Sequence, residues 1–240
     1  MLAANPMAWL FMVHSGIMKP GHLDAVEINP PAAPRACLIW LHGLGADGHD
    51  FEALIPELGL VRERALRVIL PHAPYRPVTI NGGHVMRAWY DILAPDLQQG
   101  EDGQGIRESE QLLRALIEHE VGNGIPAEHI VLAGFSQGGA IALQTGLRYP
   151  QRLAGILALS TYVPLAASLA VERAAANAAV PIMLAHGLHD PVVPLDLAER
   201  CRDQLLGLDY AVDWRSYPMA HAVCPAEIAD IRDWLGVCLP

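Results

Sequence analysis

Lysine is nearly absent from this 240-residue chain: Lys19 stands alone beside fifteen arginines, and 26 acidic residues outnumber the 16 basic ones to leave a formal net charge of -10. So few cations argue against nucleic acid or an anionic membrane surface as a partner, because both are held by clustered Lys and Arg. The acidic excess between Asp96 and Glu120 reads as a solvated helix face and loop. Cysteine is scarce as well. Residues 37, 201, 224 and 238 are unclustered and show no metal-ligand spacing, so no metal is expected. Reduced thiols in a cytoplasmic protein are the expectation, with a Cys224 to Cys238 bridge as the one pairing to test.

Long apolar runs are missing too. The stretch from Met7 to Val13 has no basic segment before it, no cleavage site after it and too little length to span a bilayer, so neither a secretion signal nor a membrane helix is expected. Residues 1–22 read as an extension, with Met18 as an alternative start, ahead of a single domain over residues 23–240.

What is present is a large apolar fraction, 52%, enough for one substantial core. Strand-like runs at 24–28, 36–41, 67–70, 86–90, 129–133, 153–159, 180–186 and 210–217 alternate with helical patterns at 49–58, 105–120, 137–148, 195–206 and 225–235. That alternation predicts an α/β chain with a mostly parallel central sheet covered by helices on both faces.

The most informative segment is Gly134-Phe135-Ser136-Gln137-Gly138-Gly139, a GxSxG serine between the apolar run Ile130 to Ala133 and the helix-compatible Ala140 to Leu143. It has the form of a nucleophile elbow, a strand-to-helix turn sharp enough to lift the serine hydroxyl off the sheet, with glycines admitting the close neighbours. In an α/β-hydrolase the acid and then the histidine follow the serine along the chain. Only His221 among eleven histidines lies beyond residue 190, on a loop after the strand-like run ending at Tyr217. Of seven acidic residues between Ser136 and His221, Asp190 alone ends an apolar strand and a glycine turn; the others read as helix faces, caps or solvated turns. Its carboxylate suits the task of fixing the histidine tautomer and stabilising the imidazolium.

Stabilising an oxyanion needs donors as well. Leu38 to Leu41 run into His42-Gly43-Leu44-Gly45, the position from which this fold donates one backbone N–H; Leu44 and Gln137 are the expected pair. His42, ahead of that loop, is expected to hold it by hydrogen bonds. The glycine- and proline-broken segment from Pro74 to Gly105 offers Val78, Ile80, Val85, Met86, Trp89, Ile92 and Leu93 as candidates for an acyl trough; Trp89, Met86 and, beside the acid, Val193 are the tentative substrate contacts.

Together, Trp40 to Gly48, Leu70-Pro71-His72-Ala73-Pro74, Asn81-Gly82-Gly83, Trp89-Tyr90-Asp91, the elbow, and Tyr217-Pro218-Met219-Ala220-His221 resemble the acyl-protein thioesterase and bacterial carboxylesterase family of α/β-hydrolases. The resemblance implies a small enzyme with little or no lid, Ser136, Asp190 and His221 as its triad, and no cofactor. It also implies a small acyl ester or thioester as substrate, in a monomer or homodimer. The expected activity is a serine carboxylesterase for short to medium acyl esters. The alternatives are an acyl-protein thioesterase or lysophospholipase and, from another class, a catalytically idle binding module on the same scaffold.

Overall fold

The computed structural model describes residues 23–95, 97 and 100–240; the expectations for the N-terminal extension fall outside these residues. Nine strands run Ala25–Ile28 (β1), Ala36–Leu41 (β2), Leu66–Pro71 (β3), Tyr75–Val78 (β4), His84–Arg87 (β5), Ile130–Phe135 (β6), Gly155–Leu159 (β7), Ile182–Gly187 (β8) and Val212–Tyr217 (β9). Seven of them form one sheet in the order β1-β3-β2-β6-β7-β8-β9. Only β1 is antiparallel to its neighbour; the other pairings in this sheet are parallel.

Among the described residues seven α-helices connect them: Ile55–Leu58 (α1), Leu60–Glu63 (α2), Gly103–Gly122 (α3), Gln137–Arg148 (α4), Ala166–Glu172 (α5), Leu195–Gly207 (α6) and Pro225–Cys238 (α7). The strand residues sort strictly by parity, since successive side chains leave opposite faces. Cys37, Ile39 and Leu41 of β2 join the core beneath α3, α4 and α6, whereas Ala36, Leu38 and Trp40 join the core beneath α1 and α7. Both parities are apolar because both faces are covered. This is the α/β-hydrolase fold.

Two local expectations need correction. The run at 86–90 is not a sheet strand: β5 pairs with β4 in a separate two-stranded hairpin, and Ala88, Trp89 and Tyr90 are buried as irregular chain. The backbone groups of Trp89 and Tyr90 bond the Gln137 side chain instead of a strand. The helix expected over 49–58 forms only as a 3₁₀ turn at Glu52–Leu54 followed by α1; Gly59, with a left-handed φ of 70°, ends α1 where expected, and α2 follows beyond it. Finally, all four cysteines are free. Cys224 and Cys238 lie at opposite ends of α7, about 20 Å apart at 1.5 Å per residue, so no bridge can join them.

Candidate active site

Ser136 sits between β6 and α4 with φ 53° and ψ -120°, a left-handed φ unusual for a serine. The strain is held by Ser136 N–H donating to Leu159 O at 2.8 Å and by Thr161 Oγ1 donating to Ser136 O at 2.6 Å. A Cβ on Gly134 would fall within 3.0 Å of the Gly138 backbone, and one on Gly138 would strike the Leu41 carbonyl. The elbow glycines are therefore required by space, and the turn packs directly on the end of β2.

Asp190 and His221 come from neighbouring strand ends. After β8 and β9 the two loops are clasped by Leu188 N–H to Tyr217 O at 2.8 Å and His189 N–H to Met219 O at 3.0 Å. Gly187 makes room for this, since its missing side chain is where the Ala220 and Met219 carbonyls lie. The clasp brings His221 Nδ1–H to 2.7 Å from Asp190 Oδ2. Asp190 Oδ1 accepts the Val192 and Val193 N–H groups at 2.8 and 2.9 Å. Burial alone pushes this carboxyl up, but the His221 ring and the two N–H donors outweigh it, and the group is held below the usual Asp range. Asp190 therefore stays an anion. With Nδ1 donating, His221 presents Nε2 as its acceptor.

The imidazole also lies on the ring of Phe135, the residue before Ser136, with centroids 4.7 Å apart. Leu44, Ser136 and Gln137 border one cavity of about 370 Å³, whose walls include Ile80, Ile92, Tyr162, Pro191 and Val192. That volume lies within the range of about 300–1,000 Å³ common for small-molecule sites.

None of the tentative substrate contacts, Trp89, Met86 and Val193, lines this cavity. Trp89 is fully buried; its Nε1–H donates to His42 O at 2.9 Å, so it braces the loop behind the cavity. Val193 is 2% exposed and serves through its backbone, leaving the neighbouring Val192, 55% exposed, on the cavity wall. Met86 accepts from Asn81 Nδ2 through Sδ at 3.4 Å and is outside the lining, where Asn81 takes part. Of the trough candidates, Ile80 and Ile92 line the cavity. Tyr162 was not foreseen, although its place just beyond the carboxyl end of β7, where open α/β sheets bind ligands, was an available signal.

His42 holds the loop as expected. Nδ1–H donates to Gly43 O at 2.7 Å and Nε2 accepts from Ala73 N–H at 3.0 Å, a pattern that only the neutral ring completes. Burial lowers its pKa to about 4.

Among the described residues no group of His, Cys, Asp or Glu is arranged to hold a metal ion, and no helix is long and apolar enough to cross a membrane.

The sequence matches the phospholipase/carboxylesterase family over residues 23–239. It is 42% identical to acyl-protein thioesterase 1 of Neurospora crassa over 222 residues, covering 88% of this chain and 90% of the relative. It is 39% identical to acyl-protein thioesterase 1 of Gibberella zeae over 233 residues, covering 93% of this chain and 99% of the relative. The structure superposes on the acyl-protein thioesterase 2 of Zea mays with a TM-score of 0.78 at 29% identity, covering 91% of this chain and 100% of that one. The chain is a hydrolase-fold protein that belongs to the phospholipase/carboxylesterase family.

Proposed function

We propose that this protein hydrolyses acyl thioesters, as an acyl-protein thioesterase, by acyl transfer through Ser136. The observation that carries the chemistry is the buried Asp190 carboxylate bonded to His221 beside a strained serine elbow. His221 Nε2 takes the Ser136 proton as the hydroxyl adds to the thioester carbonyl, and the backbone N–H groups of Leu44 and Gln137 receive the oxyanion. Collapse of the tetrahedral adduct breaks the carbon–sulfur bond, and the imidazolium returns its proton to the departing thiolate. Water, deprotonated by His221, then adds to the acyl-serine and releases a carboxylic acid and Ser136. Asp190 fixes the tautomer throughout and offsets the imidazolium charge. The apolar cavity beside Ser136 accommodates the acyl chain.

Thioester rather than oxygen ester is favoured by the relatives named acyl-protein thioesterase 1 at 42% and 39% identity. The carboxylesterase activity is the second reading, since the same machinery acts on an ester with alcohol as the leaving group. Matched octanoyl thioester and octanoyl ester substrates, assayed with wild type and Ser136→Ala, test both. Higher kcat/KM on the thioester, with a loss of about 10³-fold or more in the variant, is expected. Retention of activity by Ser136→Ala would overturn the mechanism, and a strong preference for the ester would reverse the order of the two readings.

A further inference from the structure

The two halves of an acyl substrate must leave the reacting carbon in different directions. The carbonyl oxygen points at Leu44 and Gln137, which border the cavity already assigned to the acyl chain. The departing sulfur or oxygen must lie within reach of His221, which supplies its proton. His221 borders a separate depression of about 440 Å³, and no residue lines both. Phe51, Leu54, Phe135 and Val223 give this second depression an apolar floor, while Asp50 and Glu57 stand exposed at its rim.

Neither rim carboxylate is paired with a cation among the described residues. From Ala36 to Val61 the chain carries Asp47, Asp50, Glu52 and Glu57 and no Lys or Arg. Glu52 is engaged by His49 at 2.7 Å, and Asp47 accepts the His49 N–H. Asp50 and Glu57 have no ion pair or side-chain hydrogen bond among the described residues. Partial burial and then the like charge of Asp47 raise the Asp50 pKa.

We propose that this depression is the leaving-group subsite and that it selects peptides carrying a basic side chain beside the acylated residue. The inference rests on the role given to His221 above. An apolar floor accepts the aliphatic stem of Lys or Arg, and the rim carboxylates meet its charged head. A glycerophosphocholine leaving group fits less well, because its phosphate lies nearer the ester than its ammonium and faces the carboxylates first.

The test uses two substrate series: S-octanoyl cysteine peptides and O-octanoyl serine peptides, each with Lys, Gly or Glu next to the acylated residue. In wild type the Lys peptide is expected to exceed the Glu peptide in kcat/KM by about fivefold to tenfold at low ionic strength, and the ratio should shrink in high salt. In Asp50→Asn/Glu57→Gln the ratio, normalised to the Gly peptide within each protein so that any general loss cancels, should fall to about one. Equal cleavage of Lys and Glu peptides by wild type, or a preference that survives the double substitution, overturns the subsite. Thioester cleavage without charge preference removes the subsite and leaves the thioesterase proposal standing. A Lys preference confined to the serine series supports the subsite and removes the thioesterase proposal. Cleavage of neither series removes both.

Discussion

The ring of Phe135 lies against the imidazole of His221, centroids 4.7 Å apart and planes inclined by 46°. Phe135 in turn meets Phe51 at 5.9 Å, and Phe51 stacks on Trp40 at 5.0 Å. An aromatic series therefore runs from the core to the loop histidine, and Phe135, the member that meets the histidine, is covalently next to Ser136. The position of the proposed base is thereby tied to that of the proposed nucleophile.

Replacing Phe135 with alanine removes that tie and leaves both polar groups intact. The expected outcome is a fall in kcat of about tenfold to a hundredfold, in line with the cost of small misplacements near reacting atoms. Steady-state kinetics on an octanoyl thioester measure it, and an unchanged kcat would show that the Asp190 bond alone positions the ring.

Gln137 offers a second case of one residue serving two ends. Its side chain accepts from Trp89 N–H and donates to Tyr90 O, both at 2.7 Å and both buried, while its own N–H is a proposed oxyanion donor. Gln137→Ala strands two buried backbone groups, each costing about 1–3 kcal/mol. A stability loss of that order in urea unfolding is expected, together with reduced kcat as the 88–92 segment loosens. A change below about 0.5 kcal/mol would mean that other partners replace the amide.

His42 makes stability depend on pH. Its folded pKa, about 4, lies below the ordinary imidazole value of 6.5, so the unfolded chain binds more protons between these values. Its contribution is complete above pH 6.5 and is lost as pH falls toward 4. Between pH 7.5 and 4.5 the wild type should lose about 2–3 kcal/mol more than His42→Gln in urea unfolding. Parallel pH profiles for the two proteins would contradict the neutral, doubly bonded ring.

The fold could be read from residues such as Leu38, Ile39 and Trp40, because burial on both faces makes a parallel strand apolar at every position. Helix α4 was equally readable, since Gly138 and Gly139 mark where the elbow ends and Ala140 to Leu143 continue without a breaker. The approach of Asp190 to His221 was expected from chain order, whereas the clasp that produces it depends on backbone bonds from Leu188 and His189 to Tyr217 and Met219 that no local pattern announces. The burial of Trp89 was not legible for a related reason. An aromatic in a segment broken by glycine and proline reads the same whether it faces solvent or a core, and its burial follows from where Gln137 and His42 happen to offer partners. The stop at Gly59 was readable, whereas the 3₁₀ turn in place of an α-helix over Glu52–Leu54 was not.

Asp190→Asn separates charge from geometry at the proposed triad. The amide can still accept the Val192 and Val193 N–H groups but presents a neutral face to His221, so Nδ1 is no longer favoured as the protonated nitrogen. A drop in kcat of about 10⁴-fold is expected, with KM little changed. A drop of less than tenfold would remove Asp190 from the mechanism.

Gly187→Ala tests the clasp without touching any reacting group. The new Cβ would fall within 3.0 Å of the Ala220 and Met219 carbonyl oxygens, both backbone atoms on the loop that carries His221. Backbone cannot rotate away as a side chain would, so the 218–222 loop must shift outward and lengthen the His221 Nδ1–H to Asp190 bond. The rest of β8 is packed by Met183, Leu184 and Ala185, which the substitution leaves in place, so a folded protein is expected. Its kcat should fall by about a hundredfold. The downfield imidazole Nδ1 proton resonance expected for a short carboxylate bond should weaken or vanish in the same variant. Full activity with an intact resonance would mean that the two loops can move together, and that their separation, rather than the room at Gly187, decides whether Asp190 meets His221.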